Sequence, residues 1–175
     1  MQRTKKALAG LMSGKEYIIS KPLALVCHWE KGQLVRLELG WSERQQDGAA
    51  TLPLSVASMA LRESVGLYVS MGRVVWPELP LAWEGLPAFT RRVLERLRAD
   101  FSSGQTVRYG ELAARCGSPG AARAVGQVMA TNPWPLVVPC HRVLPASGRV
   151  GHFSGAGQAM KIFLLELEGS VPAQR

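Results

Sequence analysis

Pro77, Pro80 and Pro87 all fall in the short stretch from Trp76 to Pro87, and no other feature limits the possible folds of this chain as strongly. Each proline fixes its own φ and removes a backbone donor, so neither a continuous helix nor an inner strand crosses the stretch. Two parts joined there are expected, residues 1–87 and residues 88–175.

The first part reads as strands and turns. Ala24 to Trp29, the turn Glu30-Lys31-Gly32-Gln33, and Leu34 to Leu39 predict a hairpin, because Val35, Leu37 and Leu39 alternate with Arg36 and Glu38. Gln45 to Ala50 reads as a polar loop, Val56 to Ser64 as a short helix and Val65 to Ser70 as a strand.

Helical spacing dominates the second part. Phe89, Val93, Leu97 and Phe101 form one stripe while Arg91, Arg92, Glu95 and Arg98 point elsewhere, which predicts an amphipathic helix over Thr90 to Asp100 that ends near Ser102-Ser103-Gly104. A short helix is expected over Tyr109 to Cys116, a tight turn over Gly117 to Gly120, and a second helix over Ala121 to Ala130. This is helix-turn-helix spacing. The second helix is rich in small residues, Ala121, Ala122, Ala124 and Gly126, with Arg123 as its one charge. Such a surface suits close approach, either to nucleic acid or to another helix. Charge bears on that choice: residues 89–175 carry 11 Lys/Arg against 5 Asp/Glu, whereas residues 1–88 carry 10 against 8. The surplus favours a polyanion as partner of the second part, though a generally basic solvated surface would have the same composition.

Over Gly157 to Glu168, Met160, Phe163, Leu164 and Leu167 share a stripe, with Glu168 at its edge. A carboxylate leaning toward a core needs a partner; one in the last turn is more often solvated. With 47% hydrophobic residues in 175, the chain can fill a real core. No apolar run approaches a membrane span, and the basic start precedes only the short apolar patch Ala7 to Met12, so a cytoplasmic location is expected.

Cys27, Cys116 and Cys140 are widely spaced, which excludes a Cys-x-x-Cys zinc pattern and argues for reduced thiols. Cys27 sits in an expected strand and reads as core. Cys140 would by default be a small hydrophobe as well, among Val137, Val138 and Pro139. Its neighbours point elsewhere. Pro139 holds the backbone, His141 and Arg142 bring titratable and cationic groups that favour a thiolate, and the apolar run stops there. Neighbours on an extended chain face opposite ways, so a bend or a bridging water is needed for His141 to take the thiol proton. Glu168 is the candidate to orient the imidazole. Nucleophilic attack by sulfur is the chemistry implied.

The run Asn132-Pro133-Trp134-Pro135-Leu136-Val137-Val138-Pro139-Cys140-His141-Arg142-Val143 resembles the active-site signature of the O6-alkylguanine-DNA alkyltransferases, the methylated-DNA–protein-cysteine methyltransferases. The likeness extends through Tyr109-Gly110 and Ala121 to Gly126 upstream, and through Ser154-Gly155, Lys161 and Leu164 to Gly169 downstream. It covers residues 89–169. Such a resemblance implies an α/β (α+β) chain. Its N-terminal part would be a small β-sheet with a helix, in a ribonuclease H-like layout, and its C-terminal part mainly helical, with a winged helix-turn-helix-like DNA-binding motif.

It also implies direct DNA repair, in which the alkyl group of O6-alkylguanine passes irreversibly to Cys140 itself. By analogy the motif enters the minor groove of duplex DNA and the guanine rotates into a pocket. Ala121, Ala122, Ala124 and Gly126 would lie against the backbone, Arg123 would fill the gap, and Tyr109 would help rotate the nucleotide and assist the leaving guanine. His141 would act as base through a water, Glu168 would orient it, and Asn132 would pin the turn presenting Cys140. Met129, Val143, Phe153, Ser154 and Gly155 would form the guanine pocket. No metal or organic cofactor is implied, and a monomer is expected.

The chain departs from the family at Phe153, where many members have tyrosine, and in one extra residue between Gly155 and Lys161. Both bear on guanine affinity and alkyl size. A lesion sensor that flips alkylguanine without accepting the group is the alternative; such proteins carry tryptophan in place of the cysteine. A Cys-His hydrolase lacks an oxyanion-hole motif here and leaves the helix-turn-helix without a purpose.

Overall fold

The computed structural model describes residues 13–44, 54–148, 150–151 and 153–170. The polar loop expected at Gln45 to Ala50 lies outside the described residues.

Three strands, β1 (Gly14–Ser20), β2 (Leu23–Glu30) and β3 (Gln33–Trp41), form an antiparallel meander with β2 in the centre. The expected hairpin is β2–β3. Its turn has Lys31 at φ 48° and Gly32 at φ 76°, both left-handed, which matches the twist that a two-residue hairpin turn requires. Central β2 is buried along nearly all its length, as a strand paired on both sides should be; Cys27 is core, between Glu16 and Leu37 in register. β1 was not anticipated from the sequence.

One helix, α1, spans Val56–Met71, which corrects the expected helix-then-strand division at Val65. Ser58, Leu61, Val65 and Tyr68 are its buried residues, a three-four-three spacing that only a helix brings to one face. That stripe outweighs the β-propensity of the valines around Leu67. Ser55 caps the start by accepting from the Ser58 N–H at 3.1 Å, and Ser55 is itself held by the Glu16 carboxylate. Gly72 ends α1 in the left-handed region at φ 69°, and a Cβ there would stand 1.9 Å from the Leu167 carbonyl oxygen. Only glycine fits at this position.

The proline-rich segment runs beside β3 as an irregular edge. Leu34 donates to the Pro80 carbonyl at 2.9 Å, and Ala82 donates to Leu34 at 3.2 Å. The expected amphipathic helix follows as α2 (Ala88–Asp100), burying Val93, Leu94 and Leu97. β4 (Val107–Arg108) pairs in parallel with β5 (Val143–Leu144); between them lie α3 (Tyr109–Arg115) and α4 (Ala122–Ala130), and α5 (Gly157–Leu167) follows. Both short helices and the turn joining them stand where the sequence put them.

A continuous apolar core runs from Ile18 and Leu25 through Leu61 and Val65 to Leu97, Val125, Trp134 and Leu164. Trp134 ties the two ends together: its indole N–H donates to the Leu34 carbonyl at 2.8 Å, and its ring meets Trp83 edge-on at 4.6 Å between centroids. Among the described residues no helix is long and apolar enough to cross a membrane.

Candidate active site

Cys140 sits at the end of a buried segment whose backbone leaves little freedom. Leu136, fully buried, is left-handed at φ 76°, a conformation costing a leucine about 1–2 kcal/mol and sustained only by surrounding contacts. Asn132 braces the chain on either side of Leu136. Its amide donates to the Val138 carbonyl at 2.9 Å and to Cys140 Sγ at 3.1 Å, while its oxygen accepts from the Trp134 N–H at 3.1 Å. The chain then turns through a single 3-10 turn, Cys140–Arg142, so successive side chains diverge less than on a strand.

That turn brings His141 and Arg142 onto Glu168, just past the end of α5. The His141 Nε2 lies 3.0 Å from Glu168 Oε1. Arg142 forks onto the same carboxylate, Nη2 to Oε1 at 2.7 Å and Nε to Oε2 at 2.9 Å, and also donates to the Phe101 carbonyl and to Ser103. Tyr68 adds a hydroxyl donor to Oε1 at 2.8 Å, and the Gly104 N–H reaches Oε2 at 3.2 Å. The Glu168 side chain is fully buried, so the partner its position demanded is in fact a ring of donors.

Electrostatics follow from this ring. Burial by itself would raise the Glu168 carboxyl, but hydrogen bonds from His141 and Arg142 outweigh it and hold the group at about 2. An ionised Glu168 can only accept, so His141 Nε2 carries the proton and Nδ1 keeps its lone pair. Nδ1 is buried without a hydrogen-bond partner. Burial lowers the His141 pKa, opposed by Glu168, and the imidazole is therefore a neutral acceptor. Burial pushes the Cys140 thiol up, against the lowering effects of the Asn132 hydrogen bond and the Lys161 charge. Lys161 is itself buried, with its pKa lowered by burial, and its Nζ donates to the Val143 carbonyl at 2.7 Å.

Cys140 opens into a pocket of about 430 Å³ walled by Tyr109, Gly126, Met129, Ala130, Phe153, Ser154 and Lys161. Met129, Phe153 and Ser154 thus stand where a pocket was expected. Val143 and Gly155 do not line it: Val143 is buried beneath with its carbonyl on Lys161, and Gly155 lies under the Phe153 ring, where a Cβ would come within 2.7 Å. Next to it is a broader cleft of about 680 Å³ bounded by Arg108, Gly110, Ala122, Arg123 and Pro145; Tyr109 and Gly126 line both spaces. Arg123 and Ala124 are exposed on α4, whereas Ala121, Ala122 and Gly126 are half-exposed. A Cβ at Gly126 would meet no atom within 4 Å, so packing gives no reason for the glycine. Among the described residues no group of three or more His, Cys, Asp or Glu could hold a metal ion.

Sequence reasoning found Cys140, Asn132, His141 and Glu168, which the fold brings together. It missed Tyr68, whose helical register would have marked it as buried, and it treated Arg142 as a charge near sulfur when its guanidinium grips Glu168.

The site and fold define a mixed α/β protein with a cysteine that accepts from an amide donor and is followed in the chain by a histidine paired with a carboxylate. The sequence model described as 6-O-methylguanine DNA methyltransferase, DNA binding domain, matches residues 88–170. A mouse methylated-DNA–protein-cysteine methyltransferase is 48% identical over 102 residues, covering 51% of this chain and 48% of that one. The crystal structure of Mycobacterium tuberculosis O6-methylguanine methyltransferase superposes with a TM-score of 0.71 at 32% identity, covering 93% of this chain and 97% of that one. The same bacterium's protein in complex with DNA gives 0.70 at 32%, covering 91% and 95%. This chain belongs to the O6-methylguanine-DNA methyltransferase family. It spans about half the length of the mouse relative it matches.

Proposed function

We propose that this protein repairs DNA by taking the alkyl group of O6-alkylguanine onto Cys140, once and irreversibly. The observation that carries the reading is Cys140 Sγ at the wall of a pocket of about 430 Å³, held by the Asn132 amide at 3.1 Å and followed in the chain by His141, which Glu168 orients at 3.0 Å. In this scheme the thiol proton passes through a water to the free Nδ1 of His141. Sulfur attacks the alkyl carbon, the carbon–oxygen bond breaks with its electron pair going to guanine O6, and guanine takes up at N1 one proton in place of the one the thiol gave to His141, which returns to neutral through water. A thioether remains. Asn132 and Lys161 stabilise the developing thiolate, and Tyr109 assists the leaving base.

The proposed partner is duplex DNA, engaged from the minor groove by α3 and α4 as a winged helix-turn-helix, with Arg123 in the gap left by the rotated guanine. The cleft at Gly126, where packing leaves the glycine unexplained, supports close approach by a ligand backbone. Residues 1–87 would be a supporting domain of ribonuclease H-like layout, residues 88–175 the acting one, and the protein a monomer in the cytoplasm. Titration against duplex DNA carrying labelled O6-methylguanine tests the proposal. One methyl per protein, located on Cys140 and absent from Cys140→Ala, is expected; binding of the lesion with no gain in mass would make the protein a sensor instead.

A further inference from the structure

Tyr68 belongs to none of the chemistry described so far, yet its side chain ends at the centre of it. It is fully buried on α1, far in sequence from the cysteine, and its hydroxyl donates to Glu168 Oε1 at 2.8 Å. The same oxygen already serves His141 Nε2 at 3.0 Å and Arg142 Nη2 at 2.7 Å. Burial and the adjacent carboxylate push the phenol well above its usual value, so it remains a donor across the pH range of the protein.

We propose that Tyr68 is a positioning residue that acts through Glu168 to set how firmly His141 holds a proton. This rests on the reading of Cys140 and His141 as the reacting pair. Each donor on Oε1 withdraws electron density from the oxygen that faces His141 Nε2. Removing the hydroxyl leaves Oε1 a stronger acceptor for His141 and a better stabiliser of the imidazolium. The imidazole then protonates at higher pH and is lost as a base sooner on acidification. The other groups around this pair are Arg142 and Cys140 from the 3-10 turn, Lys161 from α5, and the Gly104 N–H and Ser103 hydroxyl beyond α2. Arg142 and Lys161 are cationic and oppose imidazolium formation; on the proposal, Tyr68 adds to that opposition through its hydrogen bond to Oε1, without carrying charge.

The placement joins the two halves of the chain. Tyr68 tilts against Trp76 at 5.4 Å between centroids, and Gly72, one turn further on, abuts the Leu167 carbonyl. The N-terminal helix therefore reaches the group that orients the base.

Iodoacetamide tests this without relying on DNA. Its reaction rate at Cys140, read by peptide mass against pH, is compared in the native protein and in Tyr68→Phe, which removes only the hydroxyl. The acidic limb is expected to move up by roughly half a pH unit, with a threefold slower rate on the limb itself. An unmoved limb, whatever the thermal midpoint does, would make Tyr68 a packing residue and overturn the proposal. In a Glu168→Gln background the shift should vanish; a shift that persists also overturns it. Should Tyr68→Phe not fold, Trp76→Leu loosens the ring while leaving the hydroxyl. A smaller move in the same direction is then expected, and none counts against the proposal. Failure of native protein to accept methyl from DNA, with the iodoacetamide shift present, would sink the repair reading and leave the role of Tyr68 standing.

Discussion

The Asn132 amide and Cys140 Sγ are 3.1 Å apart, and the second proton of the same amide goes to the Val138 carbonyl at 2.9 Å. One side chain thereby holds both the reactive atom and the backbone that presents it. Asn132→Ala leaves the Trp134 N–H without its partner and the buried Val138 carbonyl with the Cys140 N–H alone. A loss of about 2 kcal/mol in urea unfolding is expected. Cys140 alkylation should slow by about tenfold or more, since the thiolate loses its direct donor. Unchanged alkylation with lowered stability would assign Asn132 to the fold alone.

Gly72 marks the contact between the ends of α1 and α5. Gly72→Ala forces a Cβ into the left-handed region and onto the Leu167 carbonyl, 1.9 Å away before relaxation. About 3 kcal/mol of destabilisation is expected. Because Glu168 follows Leu167 directly, alkylation of Cys140 should fall as well, although the substitution lies on the opposite half of the chain. Thermal melting together with the alkylation rate checks both parts.

Stability should fall with acid in two stages. Glu168 is held at about 2 in the folded protein against an ordinary 4.5, so its contribution is fully present above pH 4.5 and lost as the pH falls toward 2. The shift corresponds to about 3 kcal/mol. His141 is lowered by burial, so the unfolded chain takes its proton more readily below an ordinary 6.5, and stability declines from there. Urea midpoints should drop gently between pH 6.5 and 4.5 and steeply below. In Glu168→Gln the steep stage should disappear, and a flat native curve from pH 7 to 3 would contradict the assignment.

Arg123 is exposed on α4 and lines the cleft rather than the pocket that holds Cys140. Arg123→Ala should therefore weaken transfer from duplex DNA by a large factor, tenfold or more for a loss of about 1.4 kcal/mol. Reaction with the free alkylated base should barely change. Equal losses on both substrates would reduce Arg123 to general charge.

The amino-acid pattern made the second half largely legible. α2, α3 and α4 follow from the spacing of Phe89, Val93 and Leu97 and from the Gly117 to Gly120 turn, all local signals. α1 was misread because Val65, Val69 and the intervening aromatic suggested a strand, although the Ser58-Leu61-Val65-Tyr68 register carried the correct answer. β1 escaped because it is a half-exposed edge, with a burial pattern too mixed to alternate cleanly. At the site, Cys140, His141 and Asn132 are near neighbours and could be read together. Tyr68 and Gly104 could not: they meet Glu168 across 100 and 64 positions, a relation that only the packed core creates.

Cys140 is 2% exposed, and burial holds it as the thiol. A reagent consumed in its own reaction has a working lifetime, and in a cell that lifetime would be set by every stray oxidant and electrophile that reached an open thiolate. Here the sulfur is shielded by the walls of a shaped pocket, and on the proposed reading it is deprotonated only with help from its neighbours. Under the proposed chemistry, most of each molecule's existence is storage, and the same burial that makes the cysteine a reluctant acid keeps it fit for the single encounter it can answer.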